Sequence, residues 1–446
     1  MSKRRTSKEE GFGVRALRSN ICPMLLRGLF FICLSFIIHG CSPVASIENL
    51  KGTGLSFSCA AGDVTAREVI VWLRTAGPGA VSVHYGKEPG LSKFSTTRPV
   101  KTTKKTDFTA KIKISGLEPT TTYYYRGAVM GKKSGPICKF VTAPRPDDPA
   151  DVQFAFGADT RESYQPFTIM DSIRFKKPDF FLFLGDTIYA DYEGAASHLP
   201  DFWAKYVTNR NDLPTQRLLS ETSVYVTWDD HEVENNFDPA TPLVPIGRRA
   251  FFDYWPIRQD PQHPDRLYRS FRWGKAMELF ILDTRQYRDI DKGTILGRRQ
   301  KEWFLKALSS STALFKFIAT SVPISSRHID KWGGYPVDKA EVLGYISSKN
   351  IPGVVFLTAD VHYAAVSKIP GGPGLKEFIV GPLATRINEK VKGTARRFEF
   401  FSNDSFNYGL VKVHANASPP YAEIDILDEN NNLLYRTRIK YPTLEG

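Results

Sequence analysis

Apolar, strand-like segments that end in acidic or histidine residues are the feature that most constrains the fold of this chain. They follow one another along the sequence with helix-like segments such as YQPFTIMDSIRF (164–175) between them. An open α/β sheet places its functional residues at the carboxyl ends of its strands. The pattern therefore predicts an α/β fold with a multi-metal site suited to phosphate esters. The residues that follow the segments DVQFAFG, DFFLFLG, SVYVTW and GVVFLTA are Asp159, Asp186, the triplet Asp229-Asp230-His231, and the pair Asp360 and His362.

The sharpest local cluster is Asp229-Asp230-His231-Glu232, directly after an apolar strand. Three acids at such a point are costly to bury unless cations or arginines accompany them. Asn235-Asn236 follow and add neutral oxygen donors of the kind that calcium binds. A solvated loop is the alternative interpretation. If their strand continues, Asp360 and His362 lie on the same face, which suits metal binding.

Residues 1–40 are predicted to be an export signal. A basic region precedes an apolar stretch from Leu29 to Ile38, which is too short to span a bilayer permanently. Residues 38–40 resemble a bacterial lipoprotein cleavage box, so Cys41 would become a lipidated N-terminus; an ordinary cleaved signal is the alternative. We therefore expect an exported protein in the periplasm or on the outer cell surface, with membrane attachment through Cys41 as one form.

Two domains are predicted after the signal. Residues 50–145 show short alternating strands with turn signals, and LEPTTTY (117–123) resembles the corner of fibronectin type III-like β-sandwiches. A proline-rich linker follows, and 151–446 would form the catalytic domain. Cys59 and Cys138 could form a disulfide or remain free thiols, and the sequence leaves both alternatives open.

The composition is that of a folded protein with anionic ligands. Of the 446 residues, 42% are hydrophobic, enough for substantial cores, and the formal net charge is +13. This charge favours anionic substrates or surfaces. The lysines and arginines are scattered and no recognition motif accompanies them, so specific nucleic-acid readout is not indicated. No obligate protein partner is indicated either.

A set of motifs in the second domain resembles the alkaline phosphatase D (PhoD-like) phosphoesterases. These belong to the calcineurin-like metallophosphoesterases and are related to purple acid phosphatases. The resemblance implies a four-layer α/β/β/α sandwich with an N-terminal fibronectin type III-like β-sandwich. The motifs are FAFGADT (154–160), GDTIYAD (185–191), TWDDHEVENN (227–236), ILDTRQYR (281–288), LGRRQKEWF (296–304), KWGGYP (331–336) and FLTADVH (356–362).

The same resemblance implies roles for individual residues. Asp186 would bridge the metals, and Tyr189 with Asp360 or His362 would complete a ferric ion. Asp230 would bind a second metal. Asp229 would either lie next to Asp230 without binding the metal or be the ligand instead of Asp230. His231 would assist the phosphate. Arg285 could clamp phosphate, or it could pair with a nearby aspartate.

One departure from the family bears on the metal. The family commonly has a cysteine iron ligand after the first strand, whereas this chain has Asp159. A carboxylate keeps the ligand role and accepts iron, calcium or manganese. The predicted function is that of an exported phosphoesterase that hydrolyses phosphate mono- or diesters with metal-activated water. The alternative is a non-catalytic calcium-binding surface module.

Overall fold

The computed structural model describes residues 50–391 and 397–442. The predicted export signal and Cys41 lie outside these residues. Within the described part of the chain, no helix combines the length and the apolar character needed to cross a membrane.

Strands dominate the first third of the described chain, and strands alternate with helices in the rest. The helices are α1 (Ile169–Phe175), α2 (Leu199–Arg210), α3 (Leu213–Glu221), α4 (Val244–Tyr254), α5 (Gly297–Ser310) and α6 (Pro336–Ser348). The strands are β1 (Ala60–Gly62), β2 (Glu68–Arg74), β3 (Gly79–Gly86), β4 (Ser95–Thr96), β5 (Val100–Thr102), β6 (Thr109–Ser115), β7 (Thr122–Val129), β8 (Cys138–Val141), β9 (Val152–Gly157), β10 (Phe180–Phe183), β11 (Ser223–Val226), β12 (Arg269–Trp273), β13 (Met277–Ile281), β14 (Phe315–Ala319), β15 (Val354–Thr358), β16 (Ala364–Lys368), β17 (Lys376–Ile379), β18 (Phe400–Ser402), β19 (Asn407–His414), β20 (Tyr421–Asp428) and β21 (Leu433–Lys440).

Two large sheets carry the strands that end in candidate ligands. The first has the order β21-β20-β19-β9-β10-β11-β1-β2-β6, and its centre, β9 to β11, is parallel. The second has the order β12-β13-β14-β15-β17-β16-β18, with β13, β14, β15 and β17 parallel. The parallel strands explain the continuous apolar sequences, because both of their faces are buried.

The two sheets pack face to face, and helices cover their outer faces. Phe154 of the first sheet meets Phe317 of the second edge-on, with ring centroids 5.2 Å apart. On the outer face of the first sheet, Phe181 packs in one cluster with residues of α1 to α4. On the second sheet, Phe356 packs with residues of α5 and α6. The predicted four-layer α/β/β/α sandwich is therefore confirmed.

The N-terminal segment divides its strands between two sheets. Strands β3, β4, β5, β7 and β8 form a five-stranded sheet, whereas β1, β2 and β6 extend the first large sheet. Strand β1 lies parallel to β11, with Gly62 opposite Val224. At the predicted corner, the backbone N–H of Glu118 donates to the Tyr123 hydroxyl over 3.0 Å. The N-terminal segment thus packs as a sandwich that shares a sheet with the catalytic segment.

Candidate metal centre

Strained loops at the strand ends carry the candidate ligands. Asp159, Asp186, Asp360 and His362 have φ values of 68°, 50°, 71° and 57°, in the left-handed region that non-glycine residues seldom adopt. Aspartate tolerates this region better than most residues. Several such positions in one place indicate a functional site whose surroundings hold it in shape.

Three groups of side chains could each hold a metal ion, because the ligand atoms within each group lie within 4.8 Å of one another. The first consists of Asp159, Asp186 and His362; the second of Asp186, Asp230 and His231; the third of Asp229, Asp230 and Asp360. Asp186 belongs to the first two groups and Asp230 to the last two. The arrangement therefore suits adjacent cations that share carboxylates.

Asp159 gives the clearest sign that a cation belongs here. Its side chain is buried, and neither carboxylate oxygen has a hydrogen-bond partner among the residues that the structure describes. Burial, and then the charges of Asp360, Asp229 and Asp230, raise its pKa well above the ordinary value. A buried carboxylate without a partner is costly unless a cation offsets it. Carboxylate, phenol and imidazole donors are a set that iron accepts, so the residues present fit a metal.

Tyr189 and His362 complete the surroundings of Asp159. The Tyr189 hydroxyl lies 3.3 Å from Nε2 of His362, which is 4.0 Å from Oδ1 of Asp159. Nδ1–H of His362 donates to the carbonyl of Arg386 over 2.8 Å, so the lone pair of Nε2 faces the acids. Burial lowers the pKa of His362 to about 4, which keeps the imidazole neutral and able to bind a metal.

Glu232 fastens two of the ligand loops to each other. Its Oε2 accepts the backbone N–H groups of Asp186 and Asp229 over 3.0 and 2.7 Å. Its Oε1 accepts the backbone N–H and the hydroxyl of Thr187, both over 2.6 Å. Burial raises the pKa of Glu232 to about 7, yet all four partners donate to it, so the geometry holds the carboxylate form. Glu232 is therefore an anchor of the loops.

His231 pairs with Asp191. Nδ1–H of His231 donates to Oδ1 of Asp191 over 2.8 Å, and the imidazole stacks on the Tyr189 ring at 4.2 Å. Burial lowers the pKa of His231, but Asp230 and Asp191 outweigh it and raise the pKa. The pair orients the ring and leaves Nε2 for the site.

Arg285 is buried behind the acids. Its Nε donates to Asp229, its Nη1 donates to Asp330 over 3.0 Å, and its Nη2 lies 3.6 Å from Asp230. The guanidinium is fully buried and is not among the residues that line the cavity of the site. The structure therefore shows Arg285 in ion pairs with aspartates, and its predicted role toward phosphate stays a prediction.

A cavity of about 590 Å³ opens over the three groups. Tyr189, Asp230, His231 and His362 line its floor. Lys331 also lines it and pairs with Asp360, while its Nζ donates to Asp330 over 2.9 Å. Basic side chains of the wall, namely Arg161, Arg386, Lys390 and Arg397, give the cavity an attraction for anions.

All predicted site residues lie in this region, although their individual roles stay predictions. Sequence reasoning missed Asp191, Asp330 and Lys331. Asp191 stands inside the GDTIYAD motif and Lys331 begins KWGGYP, so both motifs carried a signal, but nothing in the sequence indicated what each residue contacts. The sequence pattern indicated Glu232 only as one of the acids in the cluster 229–232, without a role of its own.

Comparisons with known proteins agree with the site. Residues 154–423 match the family of PhoD-like phosphatases, and residues 42–144 match the N-terminal domain of PhoD-like phosphatases. Alkaline phosphatase D of Bacillus subtilis is 28% identical, over 74% of this chain and 68% of its own length. The chain therefore belongs to the PhoD-like phosphatase family and is a phosphoesterase-type hydrolase.

Solved structures support the fold. The structure of PhoD covers 89% of this chain and 94% of its own, with a TM-score of 0.77 and 22% identity. The purple acid phosphatase PPD1 from yellow lupin (Lupinus luteus) seeds covers 86% of this chain and 73% of its own, with a TM-score of 0.61 and 12% identity. The chain therefore shares its fold with both of these proteins, as the sequence motifs imply.

Proposed function

We propose that the chain is an exported, metal-dependent phosphoesterase that hydrolyses phosphate mono- or diesters at the candidate metal centre formed by the three groups of ligands. The buried carboxylate of Asp159, which lies beside Asp186 and has no hydrogen-bond partner in the described part of the chain, is the observation that carries the proposal. Cations bound there supply a water-derived nucleophile near neutral pH and offset charge on the phosphoryl oxygens. The family assignment favours this enzyme over a non-catalytic calcium-binding module.

The charged residues around the three ligand groups differ, and this difference supports two kinds of metal ion. Neither Asp159 nor Asp186 pairs with a lysine or arginine in the described chain, and the buried Tyr189 phenol stands beside them. Around Asp230 and Asp360, by contrast, Arg285 and Lys331 already offset the negative charge. We therefore assign a ferric ion to Asp159, Asp186, Tyr189 and His362, and calcium, with manganese as the substitute, to the group of Asp229, Asp230 and Asp360.

His231 is the proposed acid of the site. Asp191 fixes its ring and favours the protonated form, and the cavity wall leaves Nε2 accessible to a phosphate ester. From there the imidazolium can donate a proton to the leaving oxygen or stabilise negative charge on the phosphoryl group. Arg285 holds Asp229 in place and touches no substrate in this proposal.

The test is hydrolysis of p-nitrophenyl phosphate and bis-p-nitrophenyl phosphate before and after chelation. We expect chelation to abolish hydrolysis and Ca²⁺ together with Fe³⁺ to restore it. Asp186→Asn should be inactive and poor in metal, whereas Asp147→Asn, at an exposed linker position, should behave as wild type. Hydrolysis that survives chelation, or an active Asp186→Asn variant with full metal content, contradicts the proposed site.

Export and attachment form a separate part of the proposal. The N-terminal pattern supports export, with lipidation of Cys41 as the means of attachment. Full-length protein should fractionate with membranes, and Cys41→Ala should move it to the soluble exported fraction. A Cys41→Ala variant that stays with the membrane contradicts lipid attachment without affecting the enzymatic proposal.

A further inference from the structure

A second, larger cavity lies between the N-terminal strands and the β12 edge of the second large sheet. Its volume is about 980 Å³, and it adjoins a cavity of about 560 Å³ that shares Arg266 and Tyr268 with it. We call these two adjoining cavities the basic groove. A loop separates it from the metal centre, because Tyr287 lines the groove while Arg285, two residues earlier, faces the acids.

Positive charge exceeds negative charge in the basic groove. Several of its cations pair with carboxylates: Arg269 with Asp63, Arg258 and Lys113 both with Glu68, and Arg272 with Glu278. Two acids, Asp260 and Asp265, also line the groove. Four further cations of the groove have no carboxylate partner among the described residues, and these are Arg67, Lys111, Arg266 and Arg299. Unpaired cations spread over two adjoining cavities fit a chain of charges better than one small anion.

Lys111 has no carboxylate partner among the described residues, although Asp260 lines the same cavity. Its ammonium donates to Oε1 of Gln259 over 2.9 Å and lies 5.4 Å from the centre of the Phe252 ring. Burial lowers its pKa to about 8, since the distant acids compensate for little of the lost hydration. An acidic ligand in the groove would supply the charge that Lys111 lacks.

The apolar part of the lining distinguishes between kinds of polyanion. Pro146, Pro261 and Pro264 are exposed and offer aliphatic surface between the cations, which suits the C–H faces of sugar rings. Nucleic-acid bases would need exposed aromatic rings on which to stack. Tyr268 and Phe271 are only 9% and 6% exposed, and the Arg266 guanidinium covers the Tyr268 ring at 4.4 Å. Tyr287 is half-buried, and one such ring does not provide stacking surfaces for successive bases.

We propose that the basic groove is a docking site for an acidic polysaccharide, separate from the phosphoesterase site. Carboxylates of the polysaccharide would pair with Arg67, Arg266 and Arg299, and its sugar rings would lie on the aliphatic lining. The groove would thereby hold the enzyme on an acidic glycan surface while the metal centre stays open to its substrate.

The test is fluorescence anisotropy with a labelled oligogalacturonate and full-chain protein. Wild type should bind, and the affinity should fall as salt is added. Arg67→Glu/Arg299→Glu should bind about tenfold more weakly or worse, because two attractions become repulsions. Arg98→Glu/Lys440→Glu reverses the same number of charges at exposed positions away from the groove and should bind as wild type.

Three results would overturn the proposal. They are unchanged binding by the groove variant, equal weakening by both double variants, and tighter binding of a labelled single-stranded oligonucleotide of equal charge. Thermal unfolding of both variants checks that the fold is intact. Hydrolysis of p-nitrophenyl phosphate should be the same in both, so failure of the groove and failure of the metal site remain distinguishable.

Discussion

Replacement of Glu232 by glutamine tests whether one buried carboxylate holds the ligand loops together. The carboxylate accepts the backbone N–H groups of Asp186, Asp229 and Thr187 and also the Thr187 hydroxyl. In Glu232→Gln, an NH₂ group replaces one of the two oxygens. It then faces either the N–H groups of Asp186 and Asp229 or the N–H group of Thr187.

The expected loss follows from the donors left without an acceptor. A buried backbone N–H that loses its partner costs about 1–3 kcal/mol. The free energy of unfolding should therefore fall by about 1–3 kcal/mol if only Thr187 is affected, and by about twice that if Asp186 and Asp229 are. Because both ligand loops lose their common anchor, metal content and turnover should fall as well.

Urea unfolding followed by tryptophan fluorescence gives the free energy, and elemental analysis gives the metal content. The matched control is Glu234→Gln, two residues away on the same loop, whose side chain makes no hydrogen bond within the described chain. If Glu232→Gln and Glu234→Gln unfold with equal free energies and retain equal metal, Glu232 does not hold the loops and the reasoning fails.

Three other perturbations bear on the site and on stability. Asp191→Asn should lower turnover by at least about tenfold at unchanged metal content, since it frees the ring of His231. Equal losses of turnover and metal content would show that the Asp191–His231 pair is structural. Gly381→Ala should deplete metal, because a Cβ there would clash with Oδ2 of Asp159, whereas Gly374→Ala, also at positive φ but in open space, should not. Burial raises the pKa of Asp179 to about 6, so its destabilising effect appears as pH rises from 3.8 to about 6. Asp179→Asn should remove that pH dependence from thermal unfolding curves and gain about 1–3 kcal/mol at neutral pH; a pH profile like that of wild type would contradict the shift.

The ligand-bearing strand ends were predictable because their signal is local. An apolar segment that stops at an acid can be recognised without knowledge of the rest of the fold. The helix predicted over 164–175 was longer than the observed α1, which begins at Ile169. Pro166 explains the difference, since proline has no N–H and moves the residue before it out of helical conformation.

The supporting residues were not predictable because their partners are distant in sequence. Asp191 contacts His231 forty residues later, and Lys331 contacts Asp360 across helix α6 and strand β15. Lone acids and lysines in loops are usually turn or surface residues, so sequence alone gives no reason to select these. Only the tertiary fold shows that Asp330 and Lys331 lie among the carboxylates of the candidate metal centre.

The N-terminal segment is better understood as part of the catalytic fold than as a spacer. Strand β1 pairs with β11, the strand that leads into Asp229 and Asp230. Across the same boundary, Arg269 pairs with the buried Asp63, and the Trp72 indole donates to the carbonyl of Asp253 over 2.8 Å. A chain without residues 50–145 would leave the edge of β11 unpaired and Arg269 without its carboxylate, which is costly for a partly buried charge. The loop after β11, which carries Asp229 and Asp230, and one wall of the basic groove therefore both depend on strands that precede the linker.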